Sequence, residues 1–464
     1  ADPLVRATAD GAATLGATLR LSAPPQAASS RTAACQARAR VREVADGAAR
    51  MPSTLQVLAM VTDDADCARL AQGSVAAVEA TARRSPYDAR QVWLTVTGTH
   101  AVEEPPWHLR AAQWVRGRFL DTVAGLDGDG RILVPGVTLG ILGQDTAGAH
   151  GLDADTDRAD QLEDQCRNAG IIHLMAVSGG HYALLAAGAR ILGAALHLPW
   201  KASALLRLPL TAVLTLVLLP SQSVTRAAIG SLLGVGCQWC GRRQQALHTL
   251  AVTAALAILA EPARATDFGF ALSCAAVAGI ALLAPRLEPW LERALPRGVA
   301  QALVASLAAQ AFTLPVQLLM EPSVALWALP ANLLVGPCMD LATVCGLLAC
   351  ACSVAAPALA PWFARLCALG TRGIAAVAAL FGSGDGGTLD WASGWHGVAA
   401  LTAIELAIGA ICWCVAQLWR ARAALHADDA FAMPDGAAGH LRRWAAETRA
   451  LWSQATWRPR GGIP

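Results

Sequence analysis

Residues 328–352 read ALPANLLVGPCMDLATVCGLLACAC, a run in which Asp340 is the sole charged side chain. The hydrocarbon of a bilayer is about 30 Å thick, so a helix rising 1.5 Å per residue needs about 20 apolar residues to cross it. This run supplies them, and it is one of nine such segments after Gly170. The others are 172–198, 203–220, 224–240, 245–260, 268–284, 299–320, 360–382 and 395–419. The pattern predicts a polytopic α-helical membrane protein with about nine spans. Composition agrees: 55% of residues are hydrophobic and 15% charged, against about 25% charged in soluble domains. The net charge of +2 is too small to imply a partner.

Loop charges supply an independent check through the positive-inside rule. With the first span running inward, the cytoplasmic loops hold Lys201, Arg207, Arg242, Arg243, Arg286, Arg293, Arg297 and Arg365. The tail, 421–464, follows with Arg422, Arg442, Arg443 and Arg449, while Glu261, Arg264, Asp267, Glu321, Asp385 and Asp390 fall outside, so almost every basic loop residue lies inside. This sorting predicts a multi-pass protein of the cell membrane with a cytoplasmic C-terminus.

The first 106 residues are different. Thr14–Leu21, Cys35–Val44, Leu55–Val61, Val75–Ala82 and Val92–Thr97 alternate like strands, separated by Pro24-Pro25, Asp46-Gly47, Asp63-Asp64 and Ser85-Pro86. Five short strands suit a small β-barrel of the OB type, with a sandwich as the alternative, and the charge sorting agrees with a place outside the cytoplasm. Its two cysteines, Cys35 and Cys67, are disulfide candidates there. Trp93 and Tyr87 are its only aromatics, so no stacking stripe for bases stands out. Between the barrel and the spans, 107–170 reads as an amphipathic connecting segment lying on a membrane or domain surface. The acidic stretch Asp153–Asp164 within it reads as a solvated helix. The start, ADPLVRATADG, lacks the apolar core of a signal peptide, and membrane helices preceding it are expected.

Polar groups inside the bilayer cost several kcal/mol unless they find partners or water, so they mark function. The densest cluster is GIIHLMAVSGGHY, 170–182. His173 and His181 would share a face of an unbroken helix, but Ser178-Gly179-Gly180 predicts a break. Three readings stand: a metal or nucleophile site, hydrogen-bonded packing, or the lining of a hydrated path, which is preferred. No third metal ligand and no orienting acid is adjacent, so neither metal nor cofactor is expected. Further along come Arg226, then Phe270 and Ser273 after Asp267, then Gln310 with Pro315, and Asn332 and Asp340 with Pro330 and Pro337. Together they describe broken, hydrated helices.

These segments resemble a known family. HLMAVSGGH, 173–181, is similar to the H-L-x-A-[IV]-S-G-x-H signature of ComEC competence proteins, which carry transforming DNA across the bacterial cytoplasmic membrane. Val224-Thr225-Arg226-Ala227 resembles the family's V-x-R-A element. Asp267–Ser273 resembles its F-x-L-S element, and Gln310 to Asn332, with Pro315 and Pro337, its Q-x-x-x-x-P … N-x-x-x-x-P stretch. Gly180 replaces a residue that is more often bulky.

The resemblance implies a channel importing single-stranded DNA, lined by His173, Ser178, Gly179, His181, Arg226, Phe270, Ser273, Gln310, Asn332 and Asp340. It also implies work beside an outer DNA receptor, a separate nuclease and a cytoplasmic helicase or translocase, among membrane lipids; a homo-oligomer is admissible. The family's metallo-β-lactamase-like domain would need H-x-H-x-D-H, which the sequence lacks, so a non-enzymatic member without that domain is expected. No G-x-x-x-x-G-K-[ST] occurs, so ATP-driven pulling would fall to a partner. Two alternatives remain: an exporter of a small solute or lipid, and an intramembrane hydrolase using Ser178 with His181, whose acid would be Asp340 or Glu405.

Overall fold

Strand β1 (Ala13–Leu21) turns Leu15, Ala17, Leu19 and Leu21 inward and the residues between them outward. The computed structural model describes residues 2–8, 11–27, 33–46, 49–84, 92–141, 156–175, 177, 179–384, 386–431, 444 and 446–448. In it β1 pairs antiparallel with both β3 (Cys35–Asp46) and β6 (Val75–Arg84). Double pairing closes a barrel in the order β1-β6-β7-β5-β3, where β5 is Gln56–Val61 and β7 is Val92–Glu103. β5 and β7 run parallel and the other barrel neighbours antiparallel. That order is the OB topology, and each predicted strand matches one of the five, Leu55 alone falling just before β5. Two short pieces, β2 (Gln26–Ala27) and β4 (Ala49–Pro52), extend β3.

The interior is narrow because most inward positions are Ala or Val: Ala37, Ala39, Ala59, Ala76, Ala80 and Ala82 are all buried. A bulge leaves Arg42 without a partner on β1, since Leu19 faces Val41 and Thr18 faces Glu43. The extra residue reverses the alternation, so Val41 and Val44 both point inward. A short helix before the barrel, α1 (Pro3–Ala7), contributes Leu4 to this core. Helix α2 (Asp64–Arg69), capped by Asp63, lies between β5 and β6. A disulfide joins its Cys67 to Cys35, with Cα atoms 6.1 Å apart.

The remainder is helical. α3 (Trp107–Ala124) and α4 (Asp129–Leu139) lead to α5 (Thr156–Asn168) and a 3-10 turn, Ile172–Met175. Then follow α6 (Gly179–Ala195), α7 (Trp200–Val217), α8 (Gln222–Trp239), α9 (Ala246–Ala260), α10 (Phe268–Leu291), α11 (Arg297–Gln317), α12 (Ala328–Ala355), α13 (Ala360–Gly382) and α14 (Gly394–Phe431). Strands β8 (Ser323–Ala325) and β9 (Thr388–Asp390) pair across the connections after α11 and α13. Residues Ala1–Gly397 form one compact unit, and Val398–Pro464, with most of α14 and its Glu405, a second.

Each of the nine predicted segments contains an α-helix among the described residues. Among the described residues six helices are long and apolar enough to cross a membrane: α7, α10, α11, α12, α13 and Gly394–Leu418 of α14. The other three differ for identifiable reasons. α6 and α9 fall short of about 20 residues, and α8 opens with a polar turn, Gln222 to Arg226.

Two expectations need correction. The segment 107–170 is not wholly a surface element. α3 exposes Trp107 and Trp114, but every residue of α4 from Ile132 to Leu139 is buried. Being apolar all round, α4 is a core helix, packed against α12 and α13. In α5, Ala159, Leu162 and Cys166 are buried, so this acidic helix is solvated on one side only. Nor do the prolines break α11 and α12. Pro330 occupies the first turn of α12, where its missing N–H would be unpaired anyway, and Pro315 the last turn of α11. Pro337 lies inside α12, which continues through it.

Small residues let helices approach closely. α13 rests on α12 at Gly370, where a Cβ would sit 2.7 Å from the Cys338 carbonyl oxygen.

Candidate functional site

Polar side chains cap the helices that begin at one end of the bundle. Ser221 Oγ accepts from Val224 N–H at 3.2 Å and starts α8; Asp267 Oδ1 accepts from Phe270 N–H at 2.8 Å and starts α10. The caps fix both first turns. Phe270, buried one turn into α10, anchors that helix. Ser273 is thereby presented to α8.

Arg226 lies just over one turn into α8, and its Nε–H donates to Ser273 Oγ at 2.7 Å. Ser273 Oγ is also 3.1 Å from Ser223 Oγ. On its other side the guanidinium lies over Gly179, the first residue of α6, with Nη2 3.5 Å from where a Cβ would stand. Arg226 therefore bridges the starts of α6, α8 and α10. It is half-buried, and among the described residues no carboxylate pairs with it. Three helix N-termini and the Arg226 guanidinium bring positive charge here against the single carboxylate of the Asp267 cap, and guanidinium N–H groups suit phosphate oxygens.

Two further site residues sit on other elements: His173 in the turn before α6 and Asn332 in the second turn of α12. Asn332 Nδ2–H donates to Ala328 O at 2.7 Å, within its own helix. His181 goes elsewhere. It is fully buried, and its Nε2–H donates to Val137 O at 2.9 Å. Val137 belongs to the last turn of α4, whose carbonyls lack helical partners. Gly140 ends that helix in the left-handed region at φ 79°, and Leu219 N–H donates to Leu139 O at 3.0 Å. His181 thus closes the end of a buried helix.

Gln310 is half-buried on α11 and Asp340 exposed on α12; among the described residues no hydrogen bond joins either to the Arg226 cluster. Ser178 lies outside the described residues, as does Tyr87.

Two structurally important groups escaped the sequence reading. Arg116 on α3 is buried, and its Nη2 donates to Gln72 Oε1 at 2.7 Å and to Leu216 O at 3.0 Å. It ties the barrel's β6 approach to the end of α7, where a cation suits the helix dipole. Burial pushes its pKa down to about 10. Glu261, after α9, accepts from Arg264 at 2.9 Å, from Arg40 of β3 at 3.1 Å and from Gln56 of β5. The barrel is therefore seated at the end of the bundle where α7 and α9 stop and α8 and α10 begin. One of three Arg on an amphipathic helix and a Glu in a loop carry no sequence signal for such roles.

Against known proteins, a family model described as Competence protein matches residues 155–417. The chain belongs to the competence protein family. The match runs from the start of α5 into α14 and includes all four motif segments, with the barrel ahead of it. This competence protein accordingly has a role in DNA uptake and handles DNA as part of an uptake machinery. Searches of curated proteins and of solved structures give no match.

Proposed function

We propose that this competence protein is the conduit through which single-stranded DNA crosses the cytoplasmic membrane. The observation that carries the reading is Arg226: a guanidinium with no carboxylate partner among the described residues, held between the starts of three helices by Ser273 and Gly179, at the end of the bundle where the barrel sits. A polyanion of any sequence needs positive and N–H donor groups aimed at its phosphates rather than at its bases. The barrel receives the strand outside, and the Arg226 cluster takes its phosphates at the mouth. His173, in the turn that leads into α6, stands ahead of that entry. An outer receptor, a separate nuclease and a cytoplasmic helicase or translocase supply capture, strand removal and pulling.

The test scores labelled DNA bound outside and DNA protected inside, in a deletion strain complemented with wild type or Arg226→Ala. Deletion should leave binding intact and abolish protected DNA. Arg226→Ala should reproduce the deletion with normal membrane levels of the protein. Wild-type internalisation in the variant would remove Arg226 from the path, and unchanged internalisation in the deletion strain would end the conduit reading.

A further inference from the structure

From Arg167 to Ala260 the chain holds no acidic residue, yet it carries seven cations: Arg167, Arg190, Lys201, Arg207, Arg226, Arg242 and Arg243. The chain as a whole is nearly balanced, at +2. Helices α6 to α8 therefore concentrate positive charge with no counter-charge of their own.

Three of these cations gather where α6 ends, α7 begins and α8 ends. α6 and α7 cross closely because Gly193 faces Ser203, with no room for a Cβ between them. Arg190 and Arg207 each lie about one turn from that crossing and are near enough to repel one another. Arg207 Nη1–H donates to Gln238 Oε1 at 3.3 Å, and its Nε is buried without a partner among the described residues. Gln238 Nε2–H donates to Trp200 O at 3.4 Å. Lys201 Nζ stands 5.5 Å from the Trp200 ring and 5.6 Å from the Trp239 ring. No carboxylate pairs with any of the three among the described residues. Like charges held together without an acid are unfavourable unless an anion joins them.

The surroundings distinguish which anion. Trp200 and Trp239 are exposed at helix ends, where indoles occupy the headgroup level of a bilayer. Beside them Ile191, Leu192 and Leu205 are exposed on the same helices, an apolar skirt suited to acyl chains. Basic clusters between membrane helices, flanked in this way, take the headgroups of anionic lipids.

We infer that Arg190, Lys201 and Arg207, with Trp200 and Trp239, form a binding site for the phosphate headgroup of an anionic phospholipid. Gln238 orients Arg207, the cations take the phosphodiester, and the leucine and isoleucine side chains take the first methylenes of the tails. The site is separate from the Arg226 cluster and does not depend on the DNA reading.

Native mass spectrometry of the full chain, released from nanodiscs of phosphatidylethanolamine with either phosphatidylglycerol or cardiolipin, tests it. Wild type should retain the anionic lipid in preference to phosphatidylethanolamine. Lys201→Gln should weaken retention about fivefold, and Arg190→Gln with Arg207→Gln should weaken it further. Arg286→Gln with Arg293→Gln, at other helix ends, should leave it unchanged. If the double variant fails to fold, Lys201→Gln and Trp239→Ala decide, because both side chains are exposed. Equal retention in wild type and Lys201→Gln would overturn the site. So would displacement of the lipid by inorganic phosphate, which lacks tails, or by a single-stranded oligonucleotide, which would assign the patch to DNA.

Discussion

At the scale of single residues, the two histidines of the opening motif illustrate how similar side chains acquire different tasks. His181 donates to Val137 O inside the core. His181→Leu strands that carbonyl, so the protein should lose about 1–3 kcal/mol, read as a lower melting temperature in detergent. His181→Gln, which keeps a donor, should recover part of the stability and of DNA uptake together; recovery of stability without uptake would give His181 a role beyond positioning. Arg116 offers a second case. Arg116→Met leaves Leu216 O and Gln72 without their donor and should cost about 1–3 kcal/mol. Its pH dependence has a definite sign. Burial lowers the folded side chain's pKa to about 10, below that of the unfolded one, so above about pH 10 the unfolded state binds more protons. Stability from Arg116 therefore rises with pH across that window and is flat near neutrality. Melting curves of wild type and Arg116→Met should differ by a constant amount at neutral pH; a difference that varies there would refute the assignment. The Arg226 contacts could be foreseen as chemistry but not as geometry. An Arg within an apolar run signals function, whereas its reach to Ser273, 47 positions away, does not appear in any local pattern.

At the scale of elements, α4 departs furthest from its sequence reading. Its apolar residues number too few for a span and show no polar face, so they could be taken as part of a surface segment. Only the packing of α12 and α13 around it reveals a buried helix. Its end is correspondingly sensitive. Gly140 has φ 79°, and a Cβ there would stand 3.1 Å from Val177 Cγ2. Gly140→Ala should cost about 1–2 kcal/mol from backbone conformation alone, with further loss unless Val177 moves. A melting temperature equal to wild type would show that the turn can relax. The prolines of α11 and α12 err in the opposite direction. Proline removes one hydrogen bond, which signals a break, yet a helix end or neighbouring helices can absorb that loss. The strands were legible because alternation has period two and each run is bounded by turn residues. The Arg42 bulge was not, since one extra residue in β3 is visible only against its partner β1.

At the scale of the whole molecule, specific contacts join the barrel and the bundle, among them Arg116 and Gln113 with Gln72, and Glu261 with Arg40 and Gln56. The barrel also carries its own cross-link. Cys35 and Cys67 are 32 positions apart, and opening a loop of that length should cost about 3–4 kcal/mol in the chain-entropy account. Replacing both with Ser should lower the barrel's resistance to protease while leaving the membrane helices protected; simultaneous loss of both would mean that the barrel and bundle unfold as one. What the sequence by itself determined was the division into a five-strand barrel and a helical membrane domain, the approximate helices, and the residues expensive enough in a bilayer to imply function. These follow from local periodicity and from transfer costs that each residue bears alone. Tertiary structure alone decided which polar groups share a site. Arg226 meets Ser273 and Gly179, and His181 turns away to α4, because contacts over 2.7 to 3.5 Å depend on how distant helices cross, and crossing is set by the packing of small residues on facing surfaces.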